Sequence, residues 1–326
     1  MSRQEKIEIE YVGSLHGHNG WVTALTVGKD SNGKPLLVSG SRDKKLIVWN
    51  LHLDNPEVIL NSEGRETEEK KIGKPFKSLG GHSHFVSSLS LSKDSKYVLS
   101  SSWDKTIRLW DLNTFKTRTL ITDHSKDVLT TTFANEDRSI ISGSMDKTLR
   151  IFNIKGELKH SNTDFNGWVS SITQIRQDKA NYIAVGSQDK TVKIYDNDYA
   201  LQYTIEDFDY PVVSTATDND GEFIFSAEKN GKIKVHNFDG ITNPLKSTIE
   251  VNADINSISF RSEYFLAIII ASSKGLIVQE VAKQAKVLYQ KSFGACLSLA
   301  WDEDKKYLFA GFSDGGIRVF KFSLNQ

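Results

Sequence analysis

Short apolar runs alternate with polar turns along nearly the whole chain, and no window has the spacing of an amphipathic helix. "HFVSSLSLS" (His84 to Ser92), "YVLSSS" (Tyr97 to Ser102) and "TIRLWDL" (Thr106 to Leu112) alternate or run apolar, with clusters such as "KDSK" (Lys93 to Lys96) between them. Segments of this kind are strands separated by turns. The pattern then recurs. "GSRDKKLIVWNL" (Gly40 to Leu51), "SSWDKTIRLWDL" (Ser101 to Leu112), "GSMDKTLRIFNI" (Gly143 to Ile154) and "GSQDKTVKIYDN" (Gly186 to Asn197) are one segment four times over. Weaker copies follow as "AEKNGKIKVHNF" (Ala227 to Phe238), "ASSKGLIVQEV" (Ala271 to Val281) and "GFSDGGIRVFKF" (Gly311 to Phe322). In six of the seven, Asp or Asn stands six residues before an aromatic or His, as in Asp43 and Trp49, Asp104 and Trp110, or Asp146 and Phe152.

Successive copies lie 61, 42, 43, 41, 44 and 40 residues apart. Three strands per copy are plain and a fourth falls in the spacer, so the period predicts the four-stranded blades of a β-propeller. The expected fold is all-β: one seven-bladed propeller over residues 1–326, with four antiparallel strands per blade. The long first gap marks a charged insertion at about residues 52–78 between blades 1 and 2, whose composition reads as a surface loop. The last copy stops after its third strand, while Lys6 to Leu15 alternates ahead of the first copy. That N-terminal strand is therefore expected to pair with Ile317 to Phe322 as the missing outer strand of blade 7, closing the ring.

Composition narrows the class further. The 326 residues hold 41 basic and 41 acidic side chains, which argues against nucleic-acid coating by bulk charge and leaves only local patches. Cys296 is the sole cysteine, which excludes an intrachain disulfide and any multi-cysteine metal site. The longest apolar stretch, Phe265 to Ala271, is far shorter than the ~20 residues that cross a bilayer. With no signal-like N-terminus and no Asn-x-Ser/Thr sequon, a reducing cytosolic or nuclear address fits best.

Two arrangements imitate catalysis. His82, Ser100 or Ser102, Asp104 and Trp110 contain the residue types of a Ser-His-Asp triad, but near-copies at His18 and Asp43 and at His124 and Asp146 make no sense for one active site. "GFSDG" (Gly311 to Gly315) fits the Gly-x-Ser-x-Gly pattern of a nucleophile elbow, yet a strand pattern follows where a helix is required. Phosphate-loop, dinucleotide and zinc-helix motifs are missing. No enzyme, cofactor, metal site or small-molecule substrate is expected. Cations follow the turn Asp in four copies, at Lys44 and Lys45, Lys105, Lys147 and Lys190, and Arg42 precedes it in the first. These turns share one face, and Arg42 with Lys44 is the densest cluster, expected to project as a fork suited to adjacent phosphates.

"GH" at Gly17-His18 and Gly81-His82 with "WD" at Trp110-Asp111 resembles the WD-repeat family over essentially the whole chain. That resemblance implies structural hydrogen-bond chains linking His18, Asp43 and Trp49; His82, Asp104 and Trp110; and His124 and Asp146. "GHNGWVT" (Gly17 to Thr23), "GHSHFVS" (Gly81 to Ser87), "HSKDVL" (His124 to Leu129), "GWVSS" (Gly167 to Ser171) and "SLAWDEDKKYLFAGFSDGGIRVF" (Ser298 to Phe320) are similar to the receptor for activated C kinase, a Gβ-like scaffold family of the eukaryotic small ribosomal subunit. The resemblance implies a non-catalytic, cytoplasmic, ribosome-associated protein. Arg42, Lys44 and Lys45 would contact small-subunit ribosomal RNA. Neighbouring ribosomal proteins, protein kinase C-type kinases and translation factors would be the further partners, with no membrane. The copies ending in Tyr195, His236 and Gln279-Glu280 lose the indole. Two alternatives stand beside this reading: a peptide-reading propeller adaptor of chromatin or ubiquitin-ligase type, and a G-protein β-like subunit. Against the second, only about 16 residues precede the first Gly-His, and they alternate like a strand.

Overall fold

The computed structural model describes residues 6–30, 32–53, 56–60, 66–134, 136–176, 181–238, 243–261, 267–281, 287–302 and 306–325. Every regular element among them is a strand. They form seven sheets, each with three sequential antiparallel strands and a fourth, the arrangement of a seven-bladed propeller. Blade 2 is typical: Val86–Leu91 lies innermost, followed by Tyr97–Ser102, Ile107–Asp111 and Lys116–Ile121. The degraded fifth and sixth copies also make complete four-stranded blades.

Each blade is apolar on both faces because it has a neighbour on both sides, and the core is divided accordingly. One buried cluster fills each of the seven interfaces between sheets; Leu99, Ile107 and Leu109 of blade 2, for example, meet Val128, Phe133 and Phe152 of blade 3. Close approach near the axis explains the "GS" of the repeat. A Cβ on Gly40, Gly143, Gly186 or Gly311 would collide with Val86, Val169, Val212 or Val22, the first inner-strand residue of the following blade. Ser101, Ala227 and Ala271 are the small residues at the same place in the other copies. Inner-strand side chains also bond across blades: Thr23 Oγ1 donates to the Val86 carbonyl (2.5 Å), Ser87 to Val128 (2.6 Å), Ser170 to Val212 (2.6 Å) and Asn256 to Cys296 (2.7 Å).

Lys6–His16 pairs antiparallel with Gly316–Asn325, placing Ile9 opposite Phe322, Tyr11 opposite Phe320 and Leu15 opposite Ile317. The ends of the chain thus meet in one sheet, as the alternation at the N-terminus implies. The N-terminal strand is not that sheet's outer edge, however. The expected surface loop at 52–78 instead supplies strands at Glu57–Leu60, Glu66–Lys71 and Gly73–Gly80, while 54–55 and 61–65 lie outside the described residues. Gly73–Gly80 is the fourth strand of blade 1, and the first two form a hairpin that extends blade 7 to six strands. The hairpin joins Lys6–His16 in parallel at Ser14 and Lys71, and the Ile72 N–H reaches the Ser14 carbonyl at 3.3 Å. Gly13 makes this crossing fit, because any Cβ there would run into the Lys70 carbonyl oxygen. Charge composition hid the hairpin: its strands lie at a sheet edge and need no apolar alternation.

Closure rests on buried contacts of the N-terminal strand. Leu15 is fully buried among Val22, Ile317 and Ile72. Leu15→Ala should cost about 2–5 kcal/mol in urea unfolding, while exposed Glu8→Ala stays within about 0.5 kcal/mol. Equal effects would show that the strand's packing is not what closes the ring.

Candidate functional site, the rim of blades 1 and 2

The turns between second and third strands are held by a buried relay. In blade 1 the His18 Nδ1–H donates to Asp43 Oδ2 (2.7 Å), its Nε2 accepts from the Ser39 hydroxyl (2.7 Å), and Ser39 Oγ accepts the Trp49 indole N–H (2.8 Å). In blade 2 the same chain runs Asp104, His82, Ser100 and Trp110 at 2.8, 2.7 and 2.8 Å. Blade 3 keeps Asp146, His124 and Ser142 (2.8 and 2.8 Å), with the Phe152 ring replacing the indole. The member serine is Ser100; Ser102 accepts the Asp104 N–H instead (3.0 Å). With the proton on Nδ1 every atom of the relay has a partner, as buried polar groups require.

Burial would raise the Asp43, Asp104 and Asp146 carboxyls, but hydrogen bonds from the histidine outweigh it. With the Thr106 or Thr148 hydroxyl, or the Lys45 and Asn19 N–H groups at Asp43, they hold each below the usual carboxylate range. The other copies improvise. In blade 5 Asp207, from the opening loop, meets His236 Nε2 at 3.2 Å, reversing the two residue types. In blade 7 Arg318 grips Asp314 with two hydrogen bonds at 2.6 and 2.5 Å. Around "GFSDG", strands Tyr307–Phe312 and Gly316–Asn325 flank a turn, so no nucleophile elbow exists there.

A second regularity orients the rim. In every blade the residue just before the turn Asp, or its equivalent, donates its backbone N–H to the carbonyl preceding the inner strand: Arg42 to Trp21 (2.9 Å), Trp103 to Phe85 (3.0 Å), Gln188 to Trp168 (2.9 Å). These pairs surround the mouth of the central channel, where a funnel of about 280 Å³ is lined by Trp21, Arg42, Phe85 and Trp103, with Leu129, Gln188 and Leu297 among the rest. Lys44, Lys105, Lys147 and Lys190 follow the turn Asp and are exposed. All four have left-handed backbones, with φ of 70°, 69°, 68° and 68°, whereas Gly231 and Gly315 occupy that place in blades 5 and 7. A lysine in this conformation costs about 1–2 kcal/mol that glycine avoids.

The expected outward fork is corrected here. Lys44 and Lys45 are exposed, but the Arg42 guanidinium is half-buried and sits over the Trp21 ring, 3.6 Å from its centroid and 5.0 Å from that of Phe85. The cations diverge because Arg42 stands before the turn, on the channel side, and Lys44 stands beyond its apex. Trp21, Phe85 and Trp103 are not singled out by pattern reading, which absorbs Trp21 and Phe85 into strand starts and Trp103 into a turn. The available signal was a large aromatic just before the inner strand at Trp21, Phe85 and Trp168, where other blades carry Asp127, Pro211, Asp254 or Ala295.

Seven sheets with turns pinned by Asp-His-Ser-Trp relays define a WD-repeat propeller, a class of non-catalytic scaffolds. The family model for the WD domain, G-beta repeat, matches residues 9–50, 73–111, 115–153, 157–196 and 283–321, passing over blades 5 and 6. Among curated proteins, the chain is 36% identical to the small ribosomal subunit protein RACK1y of Oryza sativa subsp. japonica over 99% of this chain and 98% of that one. Identity to the small ribosomal subunit protein RACK1 is 36% in Caenorhabditis elegans (97% and 98%) and 37% in Candida albicans (98% and 98%). The chain belongs to the RACK1 family of WD-repeat proteins.

Asp104→Ala removes the acceptor that His82 and the Ser83 N–H share, and should cost about 1–3 kcal/mol, whereas Asn230→Ala loses only one 3.3 Å bond and should cost less. The native Asp104 carboxylate binds its proton more weakly than the unfolded one. Its contribution is therefore complete above the ordinary carboxylate range and lost as pH falls through and below it. Acid titration of stability should be shallower for Asp104→Asn than for the wild type; parallel curves would remove Asp104 from the account.

Proposed function

We propose that this protein is a scaffold of the cytoplasmic small ribosomal subunit, docked by the first-blade turn. Lys44 and Lys45 would meet ribosomal RNA phosphates as point charges, with Arg42 beside them. Neighbouring ribosomal proteins contact the same side, while protein kinase C-type kinases and translation factors dock on the remaining surface. One observation carries the reading: the Arg42–Lys45 turn is clamped to its blade by the His18–Asp43 bond, so the cations stand on a rigid base on which little ordering entropy is lost. End-to-end similarity to proteins named for the small ribosomal subunit supports it. A peptide-reading adaptor is the second reading, favoured by the aromatic funnel at the channel mouth.

Phosphate contacts release counterions, so binding should weaken as salt rises. Arg42→Asp with Lys44→Glu should fold normally, yet leave the small-subunit fractions of a sucrose gradient for the top. Lys147→Glu with Lys190→Glu should move the sedimentation little. If the first pair still co-sediments with ribosomes at physiological salt, the turn is not the RNA contact and the peptide reading takes precedence.

A further inference from the structure

The side chains of the blade 1 and 2 rim form one connected series of ring and cation contacts. Trp21 is 40% exposed, and the Arg42 guanidinium covers one of its faces at 3.6 Å. Phe85 also meets Arg42, its ring centroid 5.0 Å from the guanidinium carbon and 5.4 Å from the Trp103 centroid. His84 continues the series, nearly parallel to Trp103 at 5.8 Å with an interplanar angle of 12°. Backbone bonds from Arg42 to Trp21 and from Trp103 to Phe85 tie the two blades' contributions to fixed positions. With one face of Trp21 taken by the guanidinium, its exposed area lies elsewhere on the ring, which also lines the funnel at the channel mouth. Lys44 and Lys45 stand exposed two and three residues from Arg42.

We propose that this rim binds an unpaired nucleotide of RNA: a base stacks on the open face of Trp21, and Arg42 and Lys44 hold the phosphates on either side. The proposal rests on the reading of the first-blade turn as an RNA contact and names the kind of RNA it takes. Cations alone serve a duplex equally well, because a duplex presents phosphates everywhere. An open indole beside them has no partner in A-form RNA, whose base faces are covered within the helix. Splayed bases do offer a face, and aromatic platforms next to cations are how proteins hold single strands. Stacking also makes the arginine a better clamp. The ring fixes the plane of the guanidinium, so its edge donors meet a phosphate with little freedom left to lose. Asp43 does not oppose this, since its Oδ2 faces His18 and the Asn19 N–H.

The test uses the full chain, a fluorescent unstructured 12-nucleotide RNA, and the 12-base-pair duplex of the same sequence, with affinity measured by anisotropy across a salt series. The single strand should bind at least about tenfold more tightly and quench tryptophan fluorescence. Trp21→Ala should lower single-strand affinity roughly tenfold and duplex affinity much less, leave the salt slope unchanged, and melt at the wild-type temperature. Trp21→Phe should keep most of the preference. Arg42→Ala with Lys44→Ala should weaken both RNAs and reduce the slope by about one to two. If that double variant changes neither slope nor affinity, the turn does not hold RNA and both readings fall. Should the slope respond while Trp21→Ala leaves the single-strand preference intact, the stacking site alone is refuted. Displacement of the single strand by an oligoglutamate of equal charge, with duplex and single strand bound alike, would assign the rim to acidic peptides instead.

Discussion

Ring closure is the constraint on which this molecule depends. Every blade is apolar on both faces, and a sheet of that kind is stable in water only between two neighbours. Seven such sheets satisfy one another only as a complete circle, and the circle is completed where Lys6–His16 enters between Gly316–Asn325 and the hairpin of residues 57–71. Opening it would expose two clusters at once: that of Leu15, Val22 and Phe309 between blades 7 and 1, and the packing of Ile9 and Tyr11 against Phe320. Both ends of the chain belong to one sheet, so finishing blade 7 requires pairing segments about 300 residues apart, a long-range contact that is slow to form.

Closure fixes blade positions, and the relays then fix the turns. A wedge-shaped blade converges on the axis with small residues at Gly40, Ser101, Gly143 and Gly186, leaving its second-to-third-strand turn poised over the channel mouth. The His-Asp bond anchors that turn, and the backbone bond from Arg42 or Trp103 to the neighbouring loop sets where the preceding side chain points. Rigid turns thus present a stacked guanidinium on the channel side and lysines outside. A scaffold needs this more than it needs a cavity, because recognition of an extended partner relies on side chains already held in place.

Order of this kind is uneven around the ring. Blades 5 and 6, which the family model passes over, have lost the relay while keeping their strand ladders. In blade 5 Glu228 takes the place of the capping serine and is fully buried, so its carboxyl is pushed upward by desolvation, with Lys234 at 4.0 Å the nearest cation. Backbone pairing and the Phe225–Phe260 stack at 4.4 Å, between blades 5 and 6, hold these sheets in register instead. The ladder makes a blade; the relay adds a specified turn.

The seven blades, their strand alternation, the Asp-His relay and the pairing of the chain's ends were all legible in the sequence. The blades, the alternation and the paired ends rest on local periodicity or a repeated spacing, which repetition amplifies, whereas the relay is implied by the resemblance to the WD-repeat family. The degraded copies were legible as strands for the same reason, though not as relays: nothing local pairs Asp207 with His236 or Asp314 with Arg318. The hairpin was read as a loop because edge strands need no buried face, and only Gly13, pressed against Lys70, recorded its position. The sequence alone named Arg42, Lys44 and Lys45 and the turn that carries them. Only the tertiary structure decided that Arg42 lies against Trp21 while Lys44 does not, since a guanidinium chooses between solvent and a ring that the fold brings over from another loop.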